Sequence, residues 1–116
     1  MSRSLNELEY IADYAQKNKQ LPIAEELEDA HDIPLHVANR YLRQYKVFCY
    51  IDEYIRQKGY SPSLREIAQA LHLSTSVVSN LIQRLTLEGY ILYTPDTARS
   101  LRILRYPVPS SHIIAG

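Results

Sequence analysis

The chain has no tryptophan, one cysteine and three glycines among its 116 residues. With Cys49 alone, no internal disulfide forms, so the fold has to stand on packing and a reducing cytoplasm is the expected compartment. So few glycines argue against Gly-rich phosphate loops. No apolar run approaches the ~20 residues of a membrane span, and the first residues, Met1 to Glu7, lack an apolar export signal. Also missing is any excess of charge: 13 basic residues balance 13 acidic ones, where nucleic-acid binders usually carry a basic surplus. His31 and His36 lie five apart, off a common helical face, and one cysteine adds no zinc pattern. No Ser/His/Asp arrangement or paired carboxylates appear, so no enzyme activity, metal or cofactor is expected. What is present is 46% hydrophobic and 22% charged residues, a globular composition, with ten tyrosines.

The zero net charge divides unevenly. Residues 1–45 hold five basic and eight acidic residues, a balance of −3, and residues 46–116 hold eight and five, a balance of +3. Such a dipolar chain suggests two parts with different partners.

The division coincides with an internal repeat. Shifted by 40, Tyr10 meets Tyr50, Ile11 meets Ile51, Tyr14 meets Tyr54, Pro22 meets Pro62, Glu26 meets Glu66, Ala30 meets Ala70 and Val37 meets Val77, without a gap. A supersecondary unit used twice requires its apolar positions to correspond in this way. Each unit reads as three helices. In the second, Val47, Phe48, Ile51, Tyr54 and Ile55 form an apolar stripe at helical spacing, ended by Gly59. Ser63 and Glu66 form a capping box for a short helix burying Ile67, Ala68 and Leu71. After a turn at His72-Leu73, Ser74 caps a third helix burying Val77, Val78, Leu81, Ile82 and Leu85, and Gly89 stops it. The first unit repeats this over 5–18, 23–30 and 34–45. Between Pro34 and Gly59 there is neither glycine nor proline, so its third helix is expected to continue into the first helix of the second unit, about 24 residues or roughly 36 Å long.

A hairpin follows. Tyr90–Tyr93 and Leu101–Tyr106 alternate as strands around a polar turn from Thr94 to Arg99. The expected fold is mainly α with a small antiparallel β-hairpin: tandem helix-turn-helix units, the second a winged helix. Its divisions are 1–45, 46–106 and a flexible tail, 107–116, in which Ile113-Ile114 could dock on an apolar patch.

Two helices joined by a tight turn and followed by a hairpin suit double-stranded DNA. The third helix, 74–88, fits the major groove, and its outward side chains reach base edges. Those are Thr75, Ser76, Ser79, Asn80, Gln83 and Arg84. Amides pair with adenine and Arg with guanine. No acidic residue lies between Ile67 and Thr86 to repel phosphate. In the wing, 90–106, Arg99 sits near the tip and Arg102 and Arg105 on the second strand, suited to backbone or minor groove. Ser61 and Ser63 stand where the second helix starts and could add backbone contacts.

Residues 48–104 resemble the DNA-binding domain of the LexA repressor family. The resemblance is carried by the segment from Tyr60 to Gln69, and by Gly89-Tyr90-Ile91 through Ala98-Arg99-Ser100-Leu101-Arg102-Ile103-Leu104. Leu73 to Leu85 resembles the general winged-helix repressor pattern and is one residue shorter than LexA there. The resemblance implies binding to double-stranded DNA, often as a dimer on a palindromic site, and a homodimer is the expected assembly. With only a short tail after the wing, the Ser/Lys self-cleaving domain of LexA is not expected. The first unit differs, because Ala24 to Ala30 is strongly acidic. Carboxylates facing phosphates cost affinity, so dimerisation or a protein partner is expected for it. The alternative for the whole chain is a protein-interaction module in which this acidic unit binds a basic partner or mimics DNA.

Overall fold

The computed structural model describes residues 5–108. Five helices lead into one small sheet: α1 (Glu7–Asn18), α2 (Ala24–His31), α3 (Leu35–Lys58), α4 (Leu64–Leu71), α5 (Thr75–Leu87), then β1 (Ile91–Leu92) and β2 (Arg102–Ile103). The chain is mainly α, with a winged helix-turn-helix formed by α4, α5 and the hairpin. The described residues divide into two compact units, 5–45 with 107–108, and 46–106.

Three of the helix starts have a side-chain cap as their local cause. Asn6 caps α1 in a box with Glu9, a signal the apolar pattern alone does not reveal, so α1 begins two residues later than the stripe suggests. Ser63 and Glu66 form the expected capping box of α4, and Ser74 accepts from the Val77 amide to start α5. The third helix runs unbroken for 24 residues, as the lack of glycine and proline predicts.

A spacing of forty residues runs through the architecture. α1 (7–18) precedes the second half of α3 (47–58) by forty, α2 precedes α4 by forty, and the first residue of α3 precedes that of α5 by forty. The left-handed residues that close the helices keep the same spacing: Lys19 (φ 62°) and Gly59 (φ 83°), Asp32 (φ 53°) and His72 (φ 58°). Pro22 and Pro62 are both buried.

The two cores are unequal. Among the described residues, Leu8, Ile11, Leu27 and Ala38 are buried apolar side chains of the first unit, beside Pro22. The second buries Val47, Phe48, Ile51, Ile67, Ala68, Val78, Leu81, Ile82, Leu85, Tyr90, Ile91 and Leu101. At about 25 cal/mol per Å² of apolar surface, most of the driving force to fold lies there. Val77, expected inside, is half-buried because it sits at the edge of the α5 stripe. The tyrosine pairs Tyr10–Tyr14 and Tyr50–Tyr54 are half-buried, with ring centroids 6.2 and 5.9 Å apart.

The strands are shorter than the alternation suggests, two residues each, antiparallel, with Ile91 opposite Ile103 and Leu92 opposite Arg102. The pairing stops because the amides of Leu104 and Arg105 both turn to the single carbonyl of Tyr90. In the tail, Pro107 is buried and belongs with the first unit. Ile113 and Ile114 lie outside the described residues.

Candidate nucleic-acid interface

The turn between α4 and α5 is tight because His72 takes the left-handed conformation and the Leu73 amide reaches back to the Ala68 carbonyl, 2.9 Å. This 6→1 bond is a Schellman closure, and it lets Ser74 start α5 at once. Val78, Leu81, Ile82 and Leu85 then fix the rotation of α5 by burying one side of it. The opposite side is the candidate reading face. Thr75, Ser76, Asn80, Gln83 and Arg84 are exposed on it and Ser79 is half-buried. None of these six side chains makes a hydrogen bond or ion pair among the described residues. Beyond them, Leu87 is 86% exposed at the end of the same face.

The wing is joined to this frame by a network that sequence reasoning missed. Arg99, in the left-handed region (φ 52°), turns its guanidinium inward. It donates to both carboxylate oxygens of Glu66 (3.0 and 3.3 Å), to the Ser61 carbonyl (3.0 Å) and to the Tyr54 hydroxyl (3.4 Å), and lies 4.9 Å over the Tyr60 ring. The same carboxylate accepts the Ser63 amide (2.8 Å) and the Tyr54 hydroxyl. The Ser63 amide and then Arg99 hold the Glu66 carboxyl down to about 2 from an ordinary 4.5. Arg99 therefore departs from the expected free phosphate contact: in this structure it secures the wing.

The other two wing arginines differ in their contacts. Arg102 is exposed opposite Leu92. Arg105 stacks 4.0 Å over the Tyr90 ring and donates to the Glu88 carbonyl, 2.8 Å. Ser100 and Thr94 bond twice across the neck of the turn, Thr94 amide to Ser100 Oγ at 3.1 Å and Ser100 Oγ to the Thr94 carbonyl at 2.8 Å.

Ser61 and Ser63 are not free contacts at the start of α4. Ser61 is buried, its Oγ accepting the Leu101 amide at 3.3 Å. Ser63 Oγ accepts the Glu66 amide, and Glu66 already occupies the Ser63 N–H. The sequence did contain a signal for the network: Tyr14 and Glu26 repeat as Tyr54 and Glu66. Tyr14 bonds to Glu26 as Tyr54 bonds to Glu66, and this bond raises the Tyr14 phenol above its usual value. Among the described residues no group of three or more His, Cys, Asp or Glu could hold a metal ion. Nor is any helix there long and apolar enough to cross a membrane.

The model of the LexA DNA binding domain matches residues 41–100, which spans most of α3, then α4, α5, β1 and the wing turn. The chain belongs to this family. It is 43% identical over 63 residues to the LexA repressor of Halalkalibacterium halodurans, a match covering 53% of this chain and 30% of that protein. With the LexA repressor of Clostridium tetani the identity is 34% over 73 residues, 62% of this chain and 36% of the relative. With that of Gluconobacter oxydans it is 39% over 66 residues, 56% and 28%. The matched part is thus about a third of the length of these LexA repressors, and residues 1–40 lie outside the family match.

Proposed function

We propose that this protein is a sequence-specific double-stranded DNA-binding transcriptional regulator of the repressor type. α5 enters the major groove with Thr75, Ser76, Ser79, Asn80, Gln83 and Arg84 toward the bases. The observation that carries this reading is the uncommitted polar face of α5, held at a fixed rotation by its buried side and free of acidic residues from Ile67 to Leu87. Membership of a family defined by DNA binding supports it. Arg102 stands on the wing toward the backbone. Arg99 serves the interface by fixing the wing to α4, and Ser63 does so by starting α4. Two copies on a palindromic site would double a footprint that is small for one module.

The test is binding of the whole chain to a pool of duplex fragments at low and moderate salt, followed by selection of the preferred sequence. Retardation that weakens with salt and favours one sequence is the expected result. Absence of retardation at low salt overturns the reading. With a selected site in hand, Arg84→Ala should lose about 1–3 kcal/mol of discrimination at one base pair. A uniform loss across all sequences would instead place Arg84 on the backbone.

A further inference from the structure

The first unit has a face at the same helical phase as the reading face of α5. The residues forty before Ser76, Ser79, Asn80 and Gln83 are His36, Asn39, Arg40 and Arg43, on the first half of α3. Ala38, forty before the buried Val78, is itself fully buried on the opposite side. His36, Asn39 and Arg43 are exposed, and their side chains make no hydrogen bond or ion pair among the described residues. Arg40 is half-buried, its guanidinium carbon 4.7 Å from the centre of the Tyr41 ring. No acidic residue occurs between Asp32 and Asp52. The face thus offers two guanidiniums, an imidazole and an amide, and its charge complements a polyanion.

The neighbouring helix limits how that face is used. Where α4 carries Arg65 and Gln69, α2 carries Glu25 and Asp29, all four exposed. In helix-turn-helix docking the supporting helix crosses the backbone, and carboxylates there are repelled by phosphate. The first unit therefore does not dock as a second reader.

We propose that His36, Asn39, Arg40 and Arg43 form a second, sequence-neutral contact to DNA phosphates. This rests on the DNA reading of the second unit. Guanidinium and amide groups bond phosphate oxygens without reading sequence, so the contact raises affinity and salt dependence and leaves base preference alone.

The experiment measures affinity of the whole chain for its selected duplex across a salt series, with a scrambled duplex alongside. Each lost phosphate contact removes about 0.9 from the slope of log K against log salt. Arg43→Gln, at an exposed position, should flatten the slope by about 0.9, and Arg40→Gln with Arg43→Gln by about 1.8. The ratio of selected to scrambled affinity should stay constant, and far-UV circular dichroism of Arg43→Gln should match the parent. If both variants keep the parent slope while Arg84→Ala weakens binding, the second contact is overturned and the reading of α5 stands. A changed ratio in Arg43→Gln overturns the sequence-neutral assignment. If the parent chain fails to bind at low salt, the DNA reading falls first and this proposal with it.

Discussion

Glu66 serves two elements through one carboxylate. Its oxygens accept the Ser63 amide that starts α4 and the Arg99 guanidinium that fixes the wing. The depressed carboxyl, about 2 in the fold against an ordinary 4.5, ties stability to pH. Folding favours the ionised form, so this contribution is complete above about 4.5 and disappears as pH falls toward 2. Glu66→Gln keeps a capping oxygen and loses the charge. The melting temperature of the parent should therefore exceed that of Glu66→Gln at pH 6, and the gap should close between pH 4.5 and pH 2. A gap that stays constant over that range would remove the ion pair from the account. How much of this a sequence can show is instructive. Ser63 and Glu66 are legible as a capping box because both partners are local. Arg99 reads as a surface cation because its partner is 33 residues away, and only the shared Tyr14/Glu26 and Tyr54/Glu66 pattern hints at the network.

At the scale of elements, the helices are legible in the sequence and the hairpin less so. The stripes, caps and the absence of breakers specify α3, α4 and α5 nearly to the residue, since these signals act within one or two turns. The strands were expected over four and six residues, and the wing holds only two pairs. Its remaining order comes from side chains, Ser100 with Thr94 and Tyr106 with Asp52 and Arg56. Such contacts have no period in the sequence. The continuity of α3 gives the sharpest element-scale prediction. Lys46 is exposed in its interior, so Lys46→Pro removes a backbone bond without disturbing a buried side chain. It should cost about 3 kcal/mol or more and lower the helical ellipticity. A variant melting like the parent would mean that α3 is interrupted there in solution.

For the whole molecule the unequal cores matter most. Among the described residues, with four buried core hydrophobics against twelve, the first unit buries less apolar surface, and its amides should open at lower free energy. Native-state hydrogen exchange should show α1 and α2 protected less than α5. Equal protection in all three would mean that the chain unfolds as one cooperative block. Charge follows the same division, and the +3 half carries the face proposed to read bases. Net charge therefore says little about this chain, because its acid-free stretches lie on the first half of α3 and on α5, one in each half.

The carboxylate at position 66 has a consequence for how the chain tolerates change. It is half-buried, its side chain 35% accessible, outside the fully buried core where substitution usually costs most. Aspartate there shortens the reach, alanine abolishes the cap, and lysine sets two cations face to face across the wing. In a saturation survey of functional variants, this half-buried residue should show the narrow tolerance otherwise reserved for the interior.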